Sequence, residues 1–298
     1  MKILYLSYAK FPDYQADSLF LGLRALLGAD VVDFPKIDIL YKKTFEEDSR
    51  DKKDIGWGKG FTLYGLLDDL AVDRTDIVRK IQCRFYDLVI FGGSYRALPL
   101  IREVLRSYPR ENIVFIDGDD GSSIQKELVF RGVYFKRELT QSMHGVYPIS
   151  FAIPPSRILA EVPKEKTRLF SICDPRDKST YIYETEEDYY HGYQEAFFGV
   201  TMKKAGWDAL RHYEILANGC LPFFIDLQAC PLYSCWSLPK YELSVVKKMA
   251  LQSHKTKKSP NLHQYLTLCD QLLCYTRENL STTALGRYVL DTVKKATQ

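Results

Sequence analysis

The chain has 298 residues, of which 46% are hydrophobic and 27% charged, and a formal net charge of +3. This length is enough for two domains of ordinary size, and the composition is that of a globular protein. So small a positive charge argues against a nucleic-acid-binding protein, although it suits an enzyme whose substrate carries a diphosphate. No apolar stretch approaches the roughly 18 residues of a membrane-spanning helix, and MKILYLSYAK resembles a buried strand more than a signal peptide. We therefore expect a soluble, cytoplasmic protein.

The first half of the chain alternates short apolar runs with helical patterns. Strands are predicted at 2–7, 30–34, 88–92, 113–117 and 133–136, and helices at 18–27, 76–85 and 98–107. Continuous apolar strands separated by helices indicate a parallel sheet that is covered on both faces. The proline-rich segment 147–155 is the clearest linker.

The second half repeats the alternation. Strands are predicted at 169–173, 197–200 and 220–225, and helices at 186–196, 207–217, 241–253, 261–280 and 282–295. The sequence therefore predicts an α/β protein with two domains, at 1–150 and 151–281. In such sheets ligands bind beyond the carboxyl ends of the strands, so a cleft between the domains is the expected site.

The segment RHYEILANGCLPFFID, residues 211–226, is the most informative part of the sequence. Arg211 and Glu214 are three residues apart and share one face of the predicted helix. A guanidinium can hold a diphosphate through two hydrogen bonds, and a carboxylate can accept the hydroxyl pair of a ribose. The alternative is a surface ion pair on an ordinary amphipathic helix.

This segment resembles the signature of the exostosin-like glycosyltransferases of the GT-B architecture. The shared pattern is an Arg, an aromatic residue and a Glu, then apolar residues, Gly-Cys-apolar-Pro, a strand and an acidic residue, here Asp226. The resemblance implies two facing Rossmann-like domains and a C-terminal helix, 282–298, that crosses back to the N-terminal domain. It also implies a nucleotide-sugar donor, by default linked to UDP, with UDP-xylose as a candidate, and an oligosaccharide or glycan acceptor. Soluble members of this kind occur in bacteria and large algal viruses, so a viral member would work in the host cytoplasm.

Four further residues are candidates for donor binding. Lys203 and Lys204 fall in the loop before the Arg211 helix, where ammonium and amide groups can meet phosphate. Arg176 follows a predicted strand of the second domain, and Tyr193 is a candidate for stacking on the nucleotide base, although core packing is its alternative role. Retaining GT-B enzymes often carry a second Glu at the position of Gly206, so its absence favours inversion.

Inversion requires a base that removes the proton of the acceptor hydroxyl, and the first domain should supply it. Asp73 is the candidate base, and a helix cap is its alternative role. His144 is the second candidate, although a lone loop histidine is usually only solvent-exposed. The glycine-rich turn that contains Lys59, Phe61 and Thr62 is interpreted as an acceptor loop.

The turn after the strand at 88–92 is a weaker candidate for the cleft. Gly92 and Gly93 would let backbone amides approach a ligand closely, with Arg96 beside them. A Gly-Gly turn before a helix is equally well explained as an ordinary loop.

The acidic segment DGDDG, residues 117–121, is a candidate metal site. Paired carboxylates can hold a divalent ion on a diphosphate, but an acidic turn that caps a helix is the favoured interpretation. We expect a metal-independent transfer that needs no cofactor besides the donor. Two alternatives remain: a non-catalytic protein that binds sugars or nucleotides between two lobes, and a metal-dependent glycosyltransferase that uses Asp117–Asp120.

Overall fold

The computed structural model describes residues 1–9, 11–48 and 59–297, which form two parallel β-sheets flanked by helices. The strands are β1 (Ile3–Leu6), β2 (Val31–Phe34), β3 (Leu88–Phe91), β4 (Ile113–Asp117), β5 (Val133–Lys136), β6 (Val146–Pro148), β7 (Arg168–Phe170), β8 (Ala196–Thr201) and β9 (Leu221–Phe224). The helices are α1 (Tyr14–Leu27), α2 (Lys42–Asp48), α3 (Ile77–Gln82), α4 (Ile101–Ser107), α5 (Lys126–Arg131), α6 (Glu186–Gln194), α7 (Leu210–Ala217), α8 (Lys240–Thr256), α9 (Leu262–Asn279) and α10 (Thr282–Ala296).

The larger sheet has the strand order β2-β1-β3-β4-β5-β6, and every neighbouring pair is parallel. Side chains of β1 alternate between its two faces, so Ile3 and Tyr5 join one apolar core while Leu4 and Leu6 join the other. Both faces of this sheet are therefore buried, as the continuous apolar strands predicted.

The smaller sheet has the order β7-β8-β9, again parallel. All six residues of its central strand β8 are buried. Helix α9 is tied to this strand by Tyr265, whose hydroxyl donates to the carbonyl of Phe197 (2.9 Å). One apolar core runs from the larger sheet, at Ile3, to the smaller sheet, at Phe198.

The last helix, α10, packs on α1, the first helix of the chain, through two glycines. A Cβ on Gly22 would lie 1.8 Å from the carbonyl oxygen of Thr282, and a Cβ on Gly286 would lie 3.1 Å from the carbonyl carbon of Gly22. The backbones thus touch at a point where no side chain fits. The domain boundaries at residues 150 and 281 remain predictions.

Three local features differ from the sequence prediction. Helix α1 begins at Tyr14 rather than at residue 18, because the side chain of Asp13 caps it by accepting from the amide of Ala16. Helices α2 and α5 were not predicted. Part of the expected linker forms β6, an edge strand whose position tolerates Pro148.

None of the helices in the described part of the chain is both long enough and apolar enough to cross a bilayer.

Candidate functional site

The carboxyl ends of the two sheets meet. Arg137, directly after β5, donates from Nη1 to the carbonyl of Asp208 (2.6 Å), which lies between β8 and α7. Glu138 Oε1 accepts from the backbone amide of Asp208 (2.9 Å). A Cβ on Gly206 would lie 2.6 Å from the same Glu138 oxygen. The carboxyl edges of the two sheets, at which α/β proteins bind ligands, therefore face each other, and we call the region between them the cleft.

Helix α7 carries Glu214 on one wall of this cleft. The side chain is 7% exposed, and its two carboxylate oxygens accept from two hydroxyl groups. Thr62 Oγ1 donates to Oε1 (2.5 Å) and the Tyr189 hydroxyl donates to Oε2 (2.7 Å). Burial raises the pKa of Glu214, while both hydrogen bonds and the charge of Arg211 oppose the rise. Both oxygens of this carboxylate therefore accept hydrogen bonds from hydroxyl groups.

Arg211 lies one turn earlier on the same helix. Its Nη1 donates to the hydroxyl of Tyr181 (3.0 Å), and its guanidinium carbon lies 4.9 Å from the centre of that ring. Its Nε atom is buried and donates to no acceptor of the described structure. Within residues 1–9, 11–48 and 59–297, no carboxylate forms an ion pair with it. A guanidinium held in this way is suited to an anion, because burying an unpaired charge is costly.

The predicted phosphate ligands Lys203 and Lys204 follow β8, on the same side of the second domain. The backbone amide of Lys203 is fixed by Asp226 (3.2 Å), and its ammonium lies 5.1 Å from the ring centre of Trp207. The ammonium of Lys204 donates to the carbonyl of Pro175 (2.6 Å). In the described structure, neither lysine forms an ion pair with a carboxylate at Nζ.

Two other predicted donor residues have protein partners. Arg176 is exposed and holds the carboxylate of Asp174 with a forked pair of bonds, Nε to Oδ1 at 2.9 Å and Nη2 to Oδ2 at 2.5 Å. Tyr193 is buried, and its hydroxyl donates to that of Tyr189 (3.1 Å). Tyr193 therefore packs in the core beneath Tyr189, the alternative role that its sequence context allowed.

The predicted acceptor residues Lys59, Phe61 and Thr62 contact the second domain directly. Lys59 Nζ donates to the carbonyl of Tyr183 (2.8 Å), and the ring of Phe61 lies 5.8 Å from that of Tyr189. Thr62 reaches Glu214, as described above. The loop thus covers the donor-side residues of α6 and α7.

On the facing wall, Gly92 and Gly93 follow β3 at the carboxyl edge of the larger sheet. A Cβ on Gly92 would lie 2.5 Å from the ring of Tyr5, and a Cβ on Gly93 would lie 3.2 Å from Asp13 Oδ2. Arg96 Nε lies 3.4 Å from the same oxygen. The two glycines allow Tyr5 and Asp13 to come close to this turn.

Asp13 was not singled out from the sequence. It is 8% exposed at the carboxyl edge of β1, β3 and β4, where its Oδ2 accepts from the hydroxyl of Tyr95 (2.8 Å). A usable signal existed, because an Asp directly before a predicted helix, soon after a strand, is typical of a cap at a strand end.

Asp17 is a second buried carboxyl group in this wall. Its Oδ2 accepts from the backbone amide of Asp13 (2.8 Å) and from the hydroxyl of Tyr64 (3.1 Å). Burial, reinforced by the charge of Asp13, raises the pKa of Asp17 to about 8. Tyr64 is two residues beyond Thr62, so one short loop contacts Glu214 and Asp17 on opposite walls.

The two predicted bases lie apart from these clusters. Asp73 is exposed, and Lys80 (2.8 Å) and Thr75 (2.6 Å) hold its pKa well below its usual range. Its bonds all go to its own segment, and Asp76 rather than Asp73 occupies the cap position of α3. His144 is exposed at the amino end of β6, the edge of the parallel sheet opposite the cleft.

Two of the three carboxylates of the DGDDG segment, those of Asp117 and Asp120, are paired with protein cations. Asp117 is buried and bonded to Lys136 Nζ (2.9 Å), and Asp120 forms an ion pair with Arg137. In the described ranges, no group of three or more His, Cys, Asp or Glu side chains is placed so that it could hold a metal ion.

No protein-family model matches the chain, and no curated protein matches it in sequence. Solved structures do resemble it. MurG of Acinetobacter baumannii matches with 14% identity over 99% of this chain and 100% of its own, at a TM-score of 0.43. An alpha-glucosyltransferase in complex with UDP and a 13-mer DNA containing a central A:G mismatch matches with 11% identity, a TM-score of 0.46, and coverage of 99% and 100%. The alpha-glucosyltransferase in complex with UDP and a 13-mer DNA containing an HMU base gives 10% identity, a TM-score of 0.50, and coverage of 98% and 99%.

The last of these likenesses shows the fold. Together with two parallel sheets whose carboxyl ends meet, it confirms the predicted GT-B fold class. The likeness to the exostosin-like group stays a prediction.

Proposed function

We propose that this chain is a glycosyltransferase that moves a sugar from a nucleotide sugar to a hydroxyl group of a glycan. The observation that carries the proposal is Arg211, a half-buried guanidinium whose buried Nε donates to no acceptor and which has no carboxylate partner in the described structure. A diphosphate supplies the missing negative charge and accepts two parallel hydrogen bonds. Glu214, one turn along α7, is the proposed acceptor of the ribose hydroxyls.

The nucleotide is UDP in this proposal, because the structure of the alpha-glucosyltransferase at a TM-score of 0.50 contains UDP. UDP-xylose is the proposed donor on the exostosin-like resemblance. Lys203 and Lys204, in the loop between β8 and α7, are the proposed further ligands of the phosphates. Tyr193 is not given the base-stacking role in this proposal, because it is buried.

On the acceptor side, we infer that Asp13 is the base in place of Asp73 or His144. As the acceptor oxygen attacks the anomeric carbon, Asp13 takes its proton and the bond between that carbon and the diphosphate breaks. The diphosphate leaves with the electron pair, and Arg211 stabilises the charge that develops on it. The transfer inverts the anomeric centre and needs no metal ion.

Calorimetry with UDP tests the donor site. Arg211→Ala and Glu214→Ala should each weaken binding by about 1.5–3 kcal/mol, the range for a hydrogen bond to a charged group. Arg287→Ala, on the exposed face of α10, is the matched control and should bind as the wild type does. Equal affinity in all four proteins would refute the assignment of α7.

A non-catalytic two-lobed binding protein is the competing function. An enzyme of this kind slowly hydrolyses UDP-sugars without an acceptor, whereas a binding protein releases them intact. Acceptor trials should include a DNA oligonucleotide, since the resembling glucosyltransferase structures contain DNA. Transfer to DNA rather than to oligosaccharides would replace the glycan as acceptor.

A further inference from the structure

The segment from Lys59 to Gly65 crosses from the first domain onto the donor-side wall. Thr62 is at its centre, with a backbone φ of +75°. A β-branched residue rarely adopts this left-handed conformation, because its side chain crowds the backbone. Such a residue persists only where the surrounding contacts hold it.

Three contacts hold Thr62 in place. Its hydroxyl donates to Glu214 Oε1 (2.5 Å) and lies 2.7 Å from the hydroxyl of Tyr190. Its backbone amide donates to Glu186 Oε1 (2.7 Å). All three partners belong to α6 and α7, so the contacts join an N-terminal loop to the donor-side helices.

These contacts close the route to Glu214. Thr62 is 1% exposed and Glu214 7%, and the other carboxylate oxygen of Glu214 is taken by Tyr189 (2.7 Å). Because Glu214 is so little exposed, one of the two protein hydroxyls that cover it has to move before a hydroxyl of a bound ribose can reach this carboxylate. Thr62 is the candidate to leave, because it lies on a loop and in a strained conformation, whereas Tyr189 is part of α6.

We propose that Thr62 occupies, on Glu214, the place of a donor hydroxyl, so that the nucleotide sugar binds by displacing the loop Lys59–Gly65. The inference rests on the proposed function, since it takes α7 as the donor site. It adds an autoinhibitory contact to that site and names the ligand group that releases it, a ribose hydroxyl.

Displacing the loop would also change contacts on the acceptor side. Tyr64, two residues beyond Thr62, donates to Asp17 (3.1 Å), and Asp17 in turn accepts from the amide of Asp13 (2.8 Å). Moving Thr62 away from Glu214 therefore also moves Tyr64, the hydrogen-bond partner of Asp17, and Asp17 is itself bonded to the proposed base Asp13. In this proposal the donor binds first, and the acceptor site is rearranged as a result.

Calorimetry with UDP on two Thr62 variants tests the proposal. Thr62→Ala removes the competing hydroxyl and should bind UDP about 10-fold more tightly than the wild type, in line with one lost hydrogen bond to a charged group. Thr62→Ser keeps the hydroxyl and should behave as the wild type. Thr267→Ala, an exposed threonine of α9, is the control and should leave the affinity unchanged.

Hydrogen exchange on the wild-type protein gives an independent measurement that requires no variant to fold. UDP should increase exchange at the amide of Thr62, because that amide leaves Glu186 when the loop moves. Slower exchange there with UDP, or an affinity of Thr62→Ala equal to or below that of the wild type, would overturn the displacement while leaving the donor site intact. If the wild type and every variant fail to bind nucleoside diphosphates, the proposed function falls and the displacement with it.

Discussion

Replacing Asp17 by Asn should remove a pH dependence from the stability of the protein. The native carboxyl group holds its proton up to a pKa of about 8, because it is buried and lies beside Asp13. In the unfolded chain the same group releases its proton near pH 4. Between these values the native state binds one more proton than the unfolded state, so the free energy of unfolding falls as the pH rises.

The size of the effect follows from this linkage. Each pH unit between about 5 and 7 should cost the wild type about 1.4 kcal/mol of unfolding free energy through this group, or about 2–3 kcal/mol over the interval. Asp17→Asn keeps an acceptor for the amide of Asp13 and the hydroxyl of Tyr64, yet it does not titrate. The variant should therefore lose less stability than the wild type as the pH rises.

Urea unfolding at pH 5, 6, 7 and 8 measures this difference. Asp291→Asn, an exposed site on α10, controls for the loss of any carboxylate. If wild type and Asp17→Asn give parallel lines of stability against pH, the carboxyl of Asp17 does not titrate in this range and the argument from its burial is wrong.

Two further predictions concern the reaction. Asp13→Asn should lower sugar transfer by about 10²-fold or more with UDP affinity retained, because an amide cannot take a proton, whereas Asp73→Asn should stay near full activity; the opposite result in a transfer assay would return the base to Asp73. Transfer should also persist in EDTA, because the carboxylate of Asp117 is already paired with Lys136; a loss of turnover that manganese restores would point to a metal-dependent enzyme.

The fold was largely accessible from the sequence because its elements are locally encoded. Each strand of the larger sheet predicted from the sequence has four or five mostly apolar residues, all of them buried except Phe34, so its hydrophobicity marks it. Arg211 and Glu214 could be paired for the same reason, since their separation along a helix fixes which face they share. The edge strand β6 was missed because three residues containing a proline give no periodic signal.

The arrangement of the site depends on contacts that no local pattern encodes. Thr62 and Glu214 are 152 residues apart in sequence, and nothing in the local sequence around either residue indicates that the two are in contact. Asp73 shows that a local pattern can also mislead, because an aspartate before a helix gives the same sequence pattern whether or not it faces the cleft. Asp13 has this pattern too. The two aspartates differ in their place in the fold, since only Asp13 lies where β1, β3 and β4 end together.

The interdomain contacts themselves suggest why a loop rather than a domain movement would admit the donor. Arg137 is 1% exposed and binds Glu138 (3.0 Å), the carbonyl of Asp208 (2.6 Å) and the carbonyl of Gly118 (3.0 Å). Separating the domains here would break the bond from Arg137 to the carbonyl of Asp208 and the bond from the amide of Asp208 to Glu138, and each buried polar group left without a partner typically costs about 1–3 kcal/mol. Releasing Thr62 breaks three hydrogen bonds but leaves the Arg137 cluster intact, and it relieves a left-handed backbone conformation. We therefore expect the Arg137 side of the cleft to stay closed while the Thr62 side opens.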